Sequence, residues 1–556
     1  MSGAIPLALT PAPLLVALVI AAATPRRNRR LPRVAALTGL PATLALLLVD
    51  ALTAPSGGRL LASFGDALPG IPYLMRGDHA GVLVAGAAVV AALLIAVQAE
   101  WDERRRWAAL ITCVLGSVVA SLAGNAVLLF AGLEVSNVGA FALMAAGRRQ
   151  PARAAVATLV VEHVGALLLL AAAANLQANS GTSDFSAVPA GAITVAVAVP
   201  WALAATLRLL APALAPLPTA RVTTASWAAT AAIPTGAVCL LRLREVLGPA
   251  PALSTTLTLA IAGGGVALWA ASVAISRRSS APRVGRALVT AVAGLVIAVS
   301  GLALPVAAAA IAAGFAALQL AVAMSPAWEA ALVSPARRGL AAATLLLVGG
   351  FPLGFAATAV TLEFAAVVEG GRVAIPFAIA VMLATVMVAV AAALSARGVF
   401  AQALPRAEQG RRLPSLLAAG AGLLSLGGAI VPGAAVAWLA GALGAPPGIL
   451  GDIGAAGVAG PTGGWAGGYV VVAALFITAA GVAAAVLGGW TPAPRRPADA
   501  SPLAVPPPLP LAAYRVLRRR LHYAGRWVPA VDGWLGEQPQ LPLLAAGSLV
   551  AILLIR

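Results

Sequence analysis

Apolar runs of about twenty residues recur along nearly the whole chain, and short loops separate them. Of the 556 residues, 61% are hydrophobic and only 10% are charged. An α-helix needs about 20 apolar residues to cross the hydrocarbon core of a bilayer, whereas membrane β-barrels use alternating segments of roughly ten residues. The sequence shows the first pattern and therefore predicts an all-α, polytopic membrane protein that lies in the lipid bilayer.

The hydrophobic pattern predicts about sixteen transmembrane helices. Their expected ranges are 5–24, 34–54, 81–99, 106–124, 126–146, 154–175, 188–212, 224–244, 252–276, 284–303, 304–324, 339–365, 373–396, 414–432, 467–489 and 540–555. Between the last two lies the Pro-rich stretch 491–510, followed by residues 512–535, in which apolar and Arg residues interleave. This second segment is expected to form an amphipathic helix in the membrane interface, and a loosely ordered basic tail is the alternative.

The formal charge of +18 follows the topology of the chain. Arg residues cluster in every second predicted loop, at 26–33, 104–106, 148–153, 277–286, 337–338, 397–412 and 495–520. Such an alternation is typical of loops that remain in the cytoplasm. We therefore expect a multi-pass protein of a bacterial cytoplasmic membrane with both termini outside, and no nucleic-acid partner.

Motifs for catalysis or metal binding are absent from the sequence. It has no phosphate-binding Gly-rich loop, no HExxH and no Cys or His spacing for zinc, haem or an iron-sulfur cluster. Both Cys113 and Cys239 fall in apolar runs and are expected to be buried free thiols. No cofactor, metal or catalytic residue is therefore expected in this chain.

Glu134 stands inside the apolar run GNAVLLFAGLEVSNVG. A carboxylate inside a membrane is costly, so it is expected to face a polar partner or a water-filled path. Glu162 and His163 in the sixth span, with Arg208 in the seventh, are the candidate partners. Two interpretations remain open: a static network that pins the helices together, or a local path for protons. Asp50, at the end of the second span, is expected to be solvated.

Two predicted spans contain helix-breaking residues. The seventh ends in a stretch with Pro212 and Pro216, and the twelfth contains Gly350, Pro352 and Gly354. Breaks at corresponding places favour two inverted five-helix repeats. We expect N-terminal transmembrane helices in residues 1–100, the first repeat in 106–244 and the second in 252–396. Additional transmembrane helices are expected in 414–489, and residues 490–556 contain the Pro-rich stretch, the interfacial helix and the final transmembrane helix.

Four stretches together resemble the antiporter-like membrane subunits of respiratory complex I (NADH-quinone oxidoreductase), membrane-bound hydrogenases and Mrp cation/proton antiporters. GNAVLLFAGLEVSNVG is similar to the fifth-helix motif of that family. Residues 208–242, ending in LPTARVTTASWAATAAIPTGAVCLLR, resemble its broken seventh helix and its eighth helix. Residues 73–79 resemble the segment that leads into the third helix, and GGFPLGF resembles the broken twelfth helix.

The resemblance implies that Glu134 is the channel carboxylate and that Arg208 replaces a Lys of the seventh helix. Members that translocate protons are expected to carry Lys, His or Glu in the seventh, eighth and twelfth helices, but this chain contains no Lys at all. Arg cannot release its proton in a protein, so the path is expected to be degenerate or partial.

The resemblance therefore implies a non-catalytic subunit in the membrane arm of a redox-driven, ion-translocating complex of the complex I or hydrogenase type. Flavin, iron-sulfur clusters or quinone would be held by hydrophilic and membrane partner subunits. The alternative is a stand-alone or Mrp-like cation/proton antiporter subunit. A scaffold that keeps the fold without an ion path is a third interpretation.

Overall fold

The computed structural model describes thirteen helices and two strands in the parts of the chain that can be placed. These parts are residues 4–25, 28, 30–53, 60–68, 71–99, 101, 103–145, 152–189, 191–214, 223–247, 253–276, 281–300, 318, 321, 328, 335–348 and 375–400. The protein is mostly helical there, as the sequence predicts. The predicted spans 414–432, 467–489 and 540–555, and the expected interfacial helix, lie outside the described residues.

The helices follow the predicted spans closely up to residue 300. They are α1 Ala4–Leu9, α2 Ala12–Ala23, α3 Leu31–Thr53, α4 His79–Gln98, α5 Arg104–Ser121, α6 Ala126–Ala145, α7 Ala152–Ser180, α8 Val195–Leu214, α9 Thr223–Leu247, α10 Leu253–Ser276, α11 Ala281–Ser300, α12 Pro335–Val348 and α13 Ile375–Phe400. The first span is divided into α1 and α2, and the seventh begins at Val195 instead of residue 188.

Three of the described helical segments are long and apolar enough to cross a membrane: Leu31–Thr53, Ala126–Ala145 and Thr158–Ser180. Seven shorter apolar stretches accompany them in other helices. α5 is buried over nearly its whole length from Trp107 to Ser121, because α2, α4, α6 and α9 surround it. It forms the centre of the first half of the bundle.

A β-hairpin precedes α4, which corrects the all-α expectation. β1 (Leu60–Leu68) pairs antiparallel with β2 (Ile71–Gly77), and the register shifts on both sides of Asp66. Gly65, with a φ of 82°, lies at the first shift, where the absence of a Cβ permits a left-handed backbone. Because both strands lie in a loop between two strongly apolar spans, hydrophobic periodicity alone does not reveal them.

Close glycine contacts join α5 and α6. A Cβ on Gly132 would lie 2.8 Å from Ala120 Cα and 2.9 Å from its Cβ, and Gly116 and Gly139 face backbone atoms of the opposite helix in the same way. Small residues at such positions let two membrane helices approach until their backbones touch. α10 and α11 meet similarly at Gly263 and Gly294. The first close contact holds Glu134 of α6 at a fixed height beside α5.

The ends of the helices meet as an alternating topology requires. Met75 of β2 bridges to Ala123 after α5, and Asn125 bridges to Asp184 after α7. Arg104, at the opposite end of α5, donates from Nη1 to the carbonyl oxygen of Thr24 at 2.7 Å, where α2 ends. The hairpin, the α5–α6 turn and the α7–α8 loop therefore share one end of the bundle, and the three Arg residues that begin α5 lie at the other.

Candidate functional site: a buried polar chain through α6–α9

Glu134 of α6 contacts His163 of α7. The His163 Nδ1 atom lies 3.1 Å from Glu134 Oε1 and 3.2 Å from Oε2. The His163 side chain is 50% exposed and that of Glu134 is 26% exposed, so the pair lies at the outer surface of the α6–α7 hairpin. The structure thus brings together two of the residues predicted from the sequence.

Asn137 extends this pair into the bundle. It lies three residues after Glu134 on the same face of α6. Its Nδ2 donates to Glu134 Oε1 at 3.3 Å, and its Oδ1 accepts from Arg208 Nη1 at 2.6 Å. The sequence predicts Arg208 as a partner for Glu134, and the structure shows that the connection runs through the Asn137 amide. The spacing of three residues from Glu134 could have identified Asn137 beforehand.

Arg208 of α8 continues this series of hydrogen bonds to α9, deep inside the protein. Its Nε and Nη2 both donate to Thr235 Oγ1 of α9, at 3.1 and 2.9 Å. The residue is 1% exposed, and all of its hydrogen-bond partners in the described residues are neutral. A buried guanidinium that is held only by an amide and a hydroxyl is electrostatically unusual, because buried charges generally have a charged partner.

Glu162 lies beside these hydrogen-bonded side chains but forms no hydrogen bond with any of them. The residue is 1% exposed, and neither carboxyl oxygen has a hydrogen-bond partner in the described part of the structure. Gly165, three residues further along α7, faces the Arg208 side chain, whose Cγ would be 3.5 Å from an added Cβ. Glu162 is therefore on the α7 face that approaches Arg208, within electrostatic reach of it and of Glu134.

The predicted helix breaks are only partly within the described residues. α8 continues through Pro212 and reaches Leu214, so its backbone is still helical at that proline. Pro216 lies beyond the described end of α8. Gly350, Pro352 and Gly354 also lie outside the described residues. The two breaks remain predictions.

A second charged cluster, which the sequence did not reveal, lies at the hairpin end of the bundle. We call Arg76, Asp78, Arg242 and Glu245 the hairpin-end cluster. Arg76 pairs with Asp78 at 2.7 Å and with Glu245 at 2.6 Å, and Arg242 pairs with the same two carboxylates at 2.5 and 3.1 Å. Two positive and two negative charges thus join the hairpin and the start of α4 to the end of α9.

Asp78 is ionised in this cluster. It is also the N-cap of α4, and its Oδ1 accepts from the Gly81 N–H at 2.7 Å. Burial alone would raise the pKa of Asp78, but Arg242, Arg76 and the Gly81 N–H together lower it to about 2. Asp78 therefore keeps its negative charge across the physiological pH range, and its ion pairs fasten the start of α4 to α9.

Asp50 is buried, which corrects the expectation that it is solvated. It is 0% exposed in α3, and its Oδ2 accepts from Thr10 Oγ1 at 2.6 Å. Thr10 lies where the chain passes from α1 to α2, so its hydroxyl reaches across to α3. Cys113 and Cys239 are free and buried, as predicted.

Comparison with families and curated proteins gives no match: no family model fits the sequence, and no curated protein is similar to it. Similar folds are found among solved structures. A chain of the Mrp complex from Dietzia sp. DQ12-45-1b has a TM-score of 0.72 and 20% identity; the match covers 97% of this chain and 63% of that chain. The present chain thus spans 63% of the length of that Mrp chain.

Two further structures come from other membrane complexes. In the membrane-bound sulfane sulfur reductase, an archaeal respiratory membrane complex, one chain has a TM-score of 0.66 and 14% identity, with coverage of 78% of this chain and 77% of that one. In respiratory complex I from Thermus thermophilus with bound aureothin, one chain has a TM-score of 0.59 and 19% identity, covering 78% and 99%. These likenesses confirm, at the level of the fold, the resemblance to antiporter-like membrane subunits.

Proposed function

We propose that this chain is an integral membrane subunit of a redox-driven, ion-translocating complex of the complex I or membrane-bound hydrogenase type. It forms part of the membrane arm and contributes a partial proton path that does not cross the membrane. The redox reaction takes place in hydrophilic partner subunits, which hold the flavin, iron-sulfur clusters or quinone. The chain itself carries no redox step.

The observation that carries this proposal is the composition of the buried polar chain. His163 and Glu134 contact each other directly, with the imidazole Nδ1 atom 3.1 Å from Glu134 Oε1. The next members are an amide, a guanidinium and a hydroxyl: Asn137, Arg208 and Thr235. Since a guanidinium does not lose its proton in proteins, proton transfer by titrating side chains stops at Arg208. Arg208 is therefore better suited to act as a fixed positive charge that stabilises Glu134 than to act as a proton relay.

The membrane setting of the proposal rests on the charge pattern and on the ends of the helices. The three Arg residues that begin α5, at positions 104–106, lie at one end of the bundle and the hairpin lies at the other. By the positive-inside rule, we propose that the hairpin faces the outside of a bacterial cytoplasmic membrane. A half-exposed Glu134–His163 pair within the bilayer also needs cover from another protein, because lipid cannot satisfy it. Neighbouring membrane-arm subunits would provide that cover.

A second candidate function is a subunit of an Mrp-like cation/proton antiporter. It is favoured by the likeness to the Mrp chain, which extends over 97% of the present chain with a TM-score of 0.72. Such a subunit would work without electron transfer. The guanidinium at position 208 and the absence of Lys argue against it, because coupled exchange requires an uninterrupted route between titrating groups.

Purification from native membranes tests the proposal. The chain is tagged in its host, extracted in mild detergent and isolated with its partners. Co-purification of hydrophilic subunits with flavin or iron-sulfur absorbance supports a redox-driven complex. Membrane subunits alone, without a chromophore and with Na⁺-dependent proton movement after reconstitution, support the antiporter instead. A stable single chain contradicts the redox-driven complex and favours a stand-alone antiporter.

A further inference from the structure

Glu162 and Arg208 are two buried ionisable groups on neighbouring helices, and each lacks a charged partner in the described residues. Within the part of the chain that the structure describes, both carboxyl oxygens of Glu162 are without a hydrogen bond, and the Arg208 guanidinium is bonded only to Asn137 and Thr235. An ionised carboxylate in that position would be a buried anion without any donor. Such a state is strongly disfavoured unless the carboxylate is protonated or paired.

The charges around Glu162 lead to the same conclusion. The helices packed against α7 present Glu134 from α6 and Arg208 from α8, and Cys113 of α5 is within electrostatic reach of Glu162. His163 is adjacent in sequence and contacts Glu134. Asn137 bonds to both Glu134 and Arg208, so the site already contains one carboxyl group for one guanidinium. An additional negative charge on Glu162 would leave the site unbalanced.

We infer that Glu162 is a proton-binding site, occupied by a proton in the arrangement described here, and that its proton determines which partner Arg208 takes. This inference deepens the proposed function and rests on it, since it identifies the group that holds a proton within the partial path. When the O–H bond of Glu162 breaks, the proton passes to water and the carboxylate keeps the electron pair. Arg208 then turns from Asn137 and Thr235 toward Glu162.

The geometry makes that movement short. The Arg208 stem already lies against Gly165, which is three residues from Glu162 on the same face of α7. A glycine at this place leaves space for the side chain, because it has no Cβ of its own. When Arg208 departs, Asn137 loses the donor on its Oδ1 atom, and its amide is free to reorient beside Glu134. Proton loss at Glu162 is thereby communicated to the Glu134–His163 pair at the surface.

Infrared difference spectroscopy on the purified complex in lipid tests the protonation. The C=O stretching band of a neutral carboxyl group should be present at neutral pH and should be lost in Glu162→Gln. The same band should remain in Glu245→Gln, because Glu245 lies in the separate hairpin-end cluster, where it forms ion pairs with Arg76 and Arg242. An identical carboxyl spectrum in Glu162→Gln and the unchanged protein would overturn the inference. So would failure of Glu162→Gln to fold, since the amide imitates the protonated group in shape and charge.

A second experiment tests the link to Arg208. In the unchanged protein the C=O stretching band of the Glu162 carboxyl group should lose intensity as the pH rises, since Arg208 can stabilise the carboxylate. In Arg208→Gln the same band should be lost at a pH that is higher by on the order of one unit or more, because the guanidinium is no longer present to stabilise the carboxylate. If Arg208→Gln does not fold, Arg208→Met is measured instead. Equal midpoints with and without the guanidinium would overturn the switch. Both readouts are independent of co-purifying redox subunits, so failure here is distinguishable from failure of the proposed function.

Discussion

The Arg208 guanidinium donates to the Asn137 side chain at 2.6 Å, although the two residues are 71 positions apart in the sequence. This contact connects α8 to α6 and brings a positive charge near Glu134 without touching it. The neutral Asn137 amide thereby links Glu134 and Arg208 through two hydrogen bonds. The consequences for stability, acid sensitivity and ion transfer can each be measured.

The Asn137 bridge should be necessary for stability. Asn137→Leu removes the carbonyl that accepts from Arg208 and leaves Thr235 as the remaining acceptor in the described structure. We expect the free energy of unfolding to fall by about 1–3 kcal/mol, because a buried donor loses its partner. Thermal unfolding in detergent measures the change.

Asn175→Leu is the matched control for that substitution. Asn175 is an exposed amide on α7 that bonds to the Ala171 carbonyl of its own helix at 2.8 Å. Its loss should change stability by less than about 0.5 kcal/mol, as for most surface positions. Equal effects of the two substitutions would show that the bridge has no special role.

The hairpin-end cluster should contribute more than an exposed ion pair. Arg242→Met leaves Asp78 with less than its full set of partners in a buried site, and should cost roughly 3–5 kcal/mol of unfolding free energy. Glu103→Gln removes a partly exposed pair with Arg106, whose N–O distance is 3.2 Å, and should cost less than about 1 kcal/mol. Comparable costs for the two variants would contradict the assignment of the cluster as a fastening.

Acid should weaken the same cluster in a defined pH window. The folded-state pKa of Asp78 is lowered to about 2, whereas an unfolded Asp titrates near about 3.9. The carboxylate therefore contributes stability that is fully present above the unfolded value and is lost as the pH falls from about 4 toward 2. Asp78→Asn should remove this part of the acid dependence. An unaltered stability profile below pH ~4 would contradict the argument.

Glycine contacts between α5 and α6 should tolerate no side chain. Gly132→Ala places a Cβ 2.8 Å from Ala120 Cα, so the helices must separate, at a cost of about 1–3 kcal/mol. Gly264→Ala in α10 is the control, because an added Cβ there meets no atom within 4 Å. It should be neutral or stabilising by up to about 1 kcal/mol, since Ala favours helix. Equal destabilisation by the two substitutions would refute the packing explanation.

Much of the bundle could be predicted because hydrophobic period and helix length are local properties. The spans around α3 to α11 follow from them, and Glu134 is conspicuous because it interrupts an apolar run. The pairing of Asp78 with Arg242 joins residues 164 positions apart, so it depends on how the helices associate. The hydrogen bond from Thr10 to Asp50 likewise requires the turn between α1 and α2. One sequence contains no direct signal for either contact.

The polar chain from His163 to Thr235 holds charge without carrying protons through the membrane. The most direct test is the proton-to-electron ratio of the intact complex with Glu134→Gln, which preserves the shape and hydrogen bonding of the side chain but cannot titrate. We expect a normally assembled complex with unchanged electron transfer and an unchanged ratio, because Arg208 already ends the route. A lower ratio in a complex that assembles and transfers electrons normally would contradict it.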